Sequence, residues 1–185
     1  MAAFVGVGMA VTLGISFLLV IPIDPVYLYL SIPAGALIGY YANARSSRHR
    51  GEWLRIVPNA LFAGLATGLT LAVLLLGVKA LFFFGDSGFP DYNRRDEAGA
   101  IIPPTCEAGA DCVYRRYLAA EPDVLREAGV SDAASFSTLY WSQQGSTATL
   151  LVVLATGAAL FGGLAFGAAG PRRGTPQLGA AAATG

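Results

Sequence analysis

Four long stretches of this chain are almost free of charge, and no other feature limits its possible folds so strongly. Met1 to Ile23 and Val26 to Asn43 carry no charged side chain, Ile56 to Phe84 carries Lys79 alone, and nothing between Ala133 and Pro171 is charged. About 20 apolar residues in a helix cross a hydrocarbon layer roughly 30 Å thick, and a helix satisfies its own backbone groups there. Composition agrees, with 55% hydrophobic residues, 13% charged residues and a mean hydropathy of +0.56, whereas soluble domains run at about 45–50% apolar and about 25% charged. The expected fold class is therefore all-α, a polytopic integral membrane protein with four transmembrane helices at about 2–23, 26–43, 56–84 and 147–170.

No Lys or Arg precedes the first apolar run, and Ile21, Pro22, Ile23, Asp24 and Pro25 follow it in place of a small-residue cleavage site. It reads as a retained span and not as a signal peptide. Pro22, Asp24 and Pro25 predict a turn before the second span, and Pro33 predicts a kink within it. The third span, entered through Pro58, is long enough to tilt or protrude.

Basic residues near span ends set the orientation. Arg45, Arg48, Arg50 and Arg55 lie in the loop 44–55, and Arg172 and Arg173 lie in the tail 171–185, so these six share one side. The segment between the third and fourth spans holds ten acidic residues against five arginines. Both termini are accordingly expected in the cytoplasm, with residues 85–146 forming an extracytoplasmic lid. Arginine outnumbers lysine eleven to one amid abundant Ala and Gly, a composition that points to a GC-rich bacterium and so to its inner (plasma) membrane. Tyr40, Tyr41 and Trp53 fall at the inner headgroup depth, and Tyr27, Tyr29, Tyr140 and Trp141 at the outer one. The loop arginines are expected to meet lipid headgroups, and Lys79 to snorkel to them at the outer face.

Helices in lipid associate by close packing, which small residues every fourth position permit. Such ridges run through Ala2, Gly6, Ala10 and Gly14; Ser31, Gly35 and Gly39; Ala60, Gly64, Gly68 and Ala72; and Ala155, Ala159, Gly163 and Gly167. Gly35, Gly39, Gly64, Gly68, Gly163 and Gly167 are the expected helix-packing positions, and Leu75 a lipid-facing one.

In the lid, Cys106 and Cys112 enclose Glu107 to Asp111, and their expected outer location predicts a disulfide. Val113, Tyr117 and Leu118 form an apolar stripe in a short helix. Pro122 opens a second helix, to Ala128, stopped by Gly129, and Ser131 caps a third, carrying Phe136, Leu139 and Tyr140. With so few apolar residues the lid is expected to rest on the span ends. Arg94 with Arg95 and Arg115 with Arg116 are possible anion holders, opposed by the acids around them. The tail after Gly170 is of low complexity and is expected to be disordered.

A lid between the third and fourth of four spans is similar to the tetraspanin layout, but the Cys-Cys-Gly of that family is missing. The quinone-linked thiol oxidases need an outer CxxC, also missing, so no family is assigned. The lone histidine, His49, cannot anchor a metal cluster, and no nucleophile with a base, intramembrane carboxylate pair, Walker sequence or dinucleotide fingerprint occurs. The chain is expected to be non-enzymatic, without cofactor, metal or nucleic-acid partner. It is expected to contact the bilayer and to have an interaction or assembly role through its lid, with another membrane or extracytoplasmic protein or with copies of itself. The alternative is a small transporter or channel for a neutral or apolar solute, lined by Thr12, Ser16, Ser31, Asn59, Thr67 and Thr156.

Overall fold

The computed structural model describes residues 7–8, 11, 24–86, 97–100 and 106–172. The expected first span and the tail beyond Arg172 lie outside the described residues, apart from Val7, Gly8 and Val11. Every regular element among the described residues is helical, so the fold is all-α. The elements are α1 (Asp24–Arg45), α2 (Trp53–Gly85), α3 (Ala110–Ala120), α4 (Pro122–Glu127) and α5 (Ala133–Ala169).

Asp24 and Pro25 form the first turn of α1 instead of the expected separate turn. Proline suits that position because its fixed φ is helical and the first turn needs no N–H from it. The chain stays helical across Pro33. Helix α2 begins at Trp53, so Pro58 lies in its second turn. Helix α5 is continuous from Ala133 to Ala169, so the expected lid helix and the expected fourth span belong to one helix.

Two helices, α2 and α5, are long and apolar enough to cross a membrane, with 33 and 37 residues and mean hydropathies of 2.3 and 2.1 in their most apolar windows. At 1.5 Å per residue they extend about 50 and about 55 Å, well beyond a hydrocarbon layer of roughly 30 Å. Helix α1, with Tyr29, Pro33, Tyr40, Tyr41 and Asn43 among its apolar residues, is not one of these two. Only 39% of each window is buried, whereas the core helix of a soluble protein would be mostly enclosed. Large apolar side chains face outward, Val73 and Phe161 each 69% exposed, while Ser31, Asn43, Thr67 and several alanines are buried.

The chain divides into two compact units. The first contains Asp24–Gly68 and the described part of Val153–Gly185. Its interior combines Ile38, Ile56 and Phe166 with small residues and close backbones. A Cβ added at Gly39 would run into the Ala159 carbonyl oxygen, one at Gly35 would come within 2.7 Å of the Ala155 oxygen, and one at Gly162 would strike the Ala36 oxygen. On α2, a Cβ at Gly64 would lie 2.7 Å from the Ala159 Cβ and 2.8 Å from the Thr156 Cα. Ala155 and Ala159 on α5 therefore meet both α1 and α2, and each is fully buried. Gly163 faces Ala60, Gly167 lies under the Trp53 ring, and Gly68 is buried. Side chains of alanine size let dispersion contacts form along the whole approach, which is what holds helices together without a hydrophobic driving force.

The second unit contains Leu69–Val152. Its core joins Phe83 of α2, Val113 of α3, Leu125 of α4, and Phe136 and Tyr140 of α5. The Phe83 ring lies 4.8 Å from Tyr140 and 5.4 Å from Trp141, and Phe136 lies 5.1 Å from Tyr117. Such ring pairs add roughly 0.5–1.5 kcal/mol each beyond the area they bury. Tyr140 is thus enclosed by this cluster and is not an exposed headgroup anchor. Leu75 is also buried, at 1% exposure, so it is not a lipid-facing position; its neighbour Val73 is the outward one.

Helix α4 ends in a Schellman arrangement: Gly129 has φ +71°, its N–H donates to Arg126 O, and the Val130 N–H donates to Leu125 O at 2.9 Å. Glycine at that position avoids the Cβ strain of the left-handed backbone. Asp132, not Ser131, caps α5, its Oδ1 accepting the Ser135 N–H at 2.7 Å while Ser135 Oγ accepts the Asp132 N–H at 3.1 Å. The Ser135 backbone N–H holds the Asp132 carboxyl below the usual carboxylate range, and the Ser135 hydroxyl adds to the effect. A depressed folded-state pKa stabilises above the unfolded value, about 3.9, and that stabilisation is lost as pH falls through the folded one. Amide exchange at Ser135 is therefore expected to be slow and pH-independent after correction for intrinsic rates above about pH 4, and to accelerate as pH falls further, through the lowered folded value. Asp132→Ala is expected to remove this acid step; its persistence in that variant would assign it to another group.

Candidate functional site

The basic loop is the most elaborated polar region of the first unit. At its start Ser46 Oγ donates to Ala42 O at 2.6 Å, and Ser47 takes a left-handed φ of 53°. Asn43, fully buried, donates through Nδ2 to Gly39 O at 2.9 Å and to Ile56 O at 3.3 Å. Its Oδ1 accepts from Asn59 Nδ2 at 3.0 Å, which ties α1 to α2 on the far side of the loop. A buried amide with these partners fixes register, because slipping either helix would leave it unsatisfied.

The loop is also latched to the end of α5. The Arg50 N–H donates to Pro171 O and the Gly51 N–H to Gly167 O, each at 3.0 Å. Gly51 has φ +85°, a backbone conformation that favours glycine. This latch brings the chain at Pro171 and Arg172 beside Arg50. Within the loop His49 Nδ1 approaches Glu52 Oε1 at 3.7 Å, and the Arg45 guanidinium lies 6.0 Å from the Tyr41 ring centre. Arg45, Arg50, Arg55 and Arg172 are exposed, and Arg48 is half-buried. Gly51, Glu52, Trp53, Leu54 and Arg55 line a shallow depression of about 220 Å³.

The polar residues read as lining a solute path have other uses. Ser31 Oγ donates to Leu28 O at 2.6 Å, Thr67 Oγ1 donates to Ala63 O at 2.8 Å, and Asn59 belongs to the Asn43 network. The Thr156 hydroxyl is buried without a hydrogen-bond partner. Thr12 and Ser16 lie outside the described residues.

In the second unit Cys106 and Cys112 are bonded, their Cα atoms 5.5 Å apart. The bridge ties the segment before α3 to its first turn, where Cys112 and Val113 are buried. Of the expected pair Arg115 and Arg116, the first is bonded to Asp111 at 2.7 Å and the second is engaged with a partner, so neither stands ready as a free anion holder; Arg126 pairs with Asp123 at 2.8 Å. Arg94 and Arg95 lie outside the described residues. Lys79 is half-buried and engaged with a partner. Among the described residues no group of His, Cys, Asp and Glu has the arrangement of a metal site.

Sequence reasoning identified the loop arginines but passed over Asn43 as a span end. Its signal was an amide flanked by small residues, Ala42 and Ala44, at the close of an apolar run. No family model, curated protein or solved structure matches this chain.

Proposed function

We propose that this chain is a four-span protein of a bacterial inner membrane that works without catalysis, holding another membrane or extracytoplasmic protein through its lid. The observation that carries the membrane reading is the outward face of the two long apolar helices, where Val73, Leu81 and Phe161 are each about 70% exposed although neither helix bears more than two charges in its most apolar window. Water would penalise that surface, whereas lipid accepts it. In this reading the loop arginines and both termini face the cytoplasm, 85–146 lies outside, and Lys79 reaches the outer headgroups.

The interaction role rests on the contrast between the two units. In the first, glycine-mediated backbone contacts and hydroxyls bonded to their own helices favour a dry bundle over a solute path. In the second, a bridge and an aromatic core hold short helices that carry Leu118 and Val124 on their exposed side.

Alkaline carbonate extraction, reporter fusions and copurification test the proposal together. The protein is expected to stay in the carbonate pellet, with a cytoplasmic reporter active when fused at Gly185. Its copurifying partner is expected to be lost when residues 106–130 are replaced by a short Gly-Ser linker. Release by carbonate would overturn the membrane reading, periplasmic activity at Gly185 the orientation, and an unchanged partner set the lid's role.

A further inference from the structure

We infer that the latched loop is a discrete site for one anionic phospholipid, binding its phosphodiester headgroup between the arginines and laying an acyl chain along α2. This rests on the membrane reading and goes further, because attraction of scattered arginines to a charged surface needs no defined geometry. Here the geometry is defined. The Asn43 network and the two backbone bonds to the end of α5 fix the loop, and the second of these sets Gly51 at the edge of the 220 Å³ depression. Arg55 lines it, the bond from the Arg50 N–H to Pro171 O brings the chain at Arg50 beside that at Arg172, and Arg45 and Arg48 belong to the same loop, whose one acid, Glu52, is already approached by His49 at 3.7 Å. The Nε of Arg48 is closed off from solvent and has no hydrogen-bond partner, an arrangement that leaves a donor unsatisfied.

The apolar half of the site distinguishes a lipid from a soluble phosphate. Leu54, in the wall of the depression, is 94% exposed, and Trp53 beside it is also exposed. Leu54, Leu61 and Leu65 recur at spacings of seven and four, and all three are exposed, so an apolar track leads from the depression along one face of α2. An ammonium-bearing neutral headgroup would meet Arg55 in a loop rich in arginine and find no carboxylate in the lining beyond the one that His49 approaches. A net anionic headgroup meets complementary charge, and arginine suits phosphate because its planar fork can donate two parallel bonds.

Native mass spectrometry of the full chain in mild detergent, titrated with phosphatidylglycerol or phosphatidylcholine, tests the inference. One phosphatidylglycerol is expected to be retained in preference to phosphatidylcholine. Arg50→Gln with Arg55→Gln should weaken it by about 25-fold, roughly fivefold for each arginine near the surface. Leu54→Gln should weaken phosphatidylglycerol while leaving the melting temperature unchanged, and inorganic phosphate at millimolar concentration should fail to displace the lipid. Equal retention of the two lipids, no loss in the double variant with its melting temperature preserved, or displacement by inorganic phosphate would each overturn the site. If the double variant melts early, Arg172→Gln, beyond the end of α5, supplies the same reading. Carbonate extraction keeps the two proposals apart: a protein that stays in the pellet yet shows no lipid preference loses only the site.

Discussion

Gly39→Leu is expected to lower the melting temperature in detergent more than any truncation of an outward apolar side chain, with a loss of about 3 kcal/mol or more. Even a methyl group at this position would overlap the Ala159 carbonyl oxygen, and its next nearest neighbours, at 2.6 and 2.7 Å, are also backbone atoms of Ala159. Backbone cannot rotate aside as a side-chain tip can, so α1 and α5 must separate and forfeit contacts along their shared face. Gly157 offers a control on the partner helix α5, since a Cβ there meets nothing within 4 Å. Gly157→Ala should therefore be neutral or slightly stabilising, as helix propensity alone favours alanine. Val73→Ala, at an exposed site, should change little. Equal melting temperatures for Gly39→Leu and Gly157→Ala would contradict the packing described for the first unit.

Phe83→Ala is expected to loosen the second unit by about 3–5 kcal/mol, the usual cost of emptying a fully buried phenylalanine site. Phe83 is 0% exposed and touches Phe136, Tyr140 and Trp141 at once. Phe83 shares one core with Val113 of α3 and Leu125 of α4, so its loss leaves a cavity in the cluster that holds both helices. Amide exchange in α3 and α4 and proteolysis around Gly129 should both accelerate. Phe84→Ala is the comparison: Phe84 stacks on Trp141 at 6.0 Å but is largely exposed, so its loss should be felt far less. Unaltered exchange in α3 for Phe83→Ala would place the support of α3 and α4 elsewhere.

Local chemistry made some of this legible in advance. The small-residue spacing of Gly35, Gly39, Gly64 and Gly163 is a property of the chain, and these are positions where the structure brings helices together. Gly129 was readable as a helix stop because few residues accept its φ. Other readings needed a partner that lies far away in sequence. Leu75 and Val73 are equally apolar and two residues apart, yet one is buried and the other outward. With apolar residues around the whole circumference of α2, its sequence carries little periodicity to tell the two faces apart. Tyr140 has the composition of a headgroup anchor, but Phe83 and Phe136 enclose it. Asp132 and Ser131 are both good caps, and the choice depended on where the backbone turned into α5.

By itself the sequence determined the all-α class, the apolar length of α2 and α5, and the clustering of arginines between α1 and α2. Each follows from a local property: hydropathy, helical rise or charge placement. The tertiary structure alone decided that Ala155 and Ala159 serve two neighbouring helices, that Asn43 joins α1 to the Ile56 carbonyl and to Asn59, and that the loop is latched at Gly167 and Pro171. Residues this far apart along the chain share no local signal. Their pairing is set by which faces pack most closely and which buried donors must find acceptors, and both conditions exist only once the helices have come together.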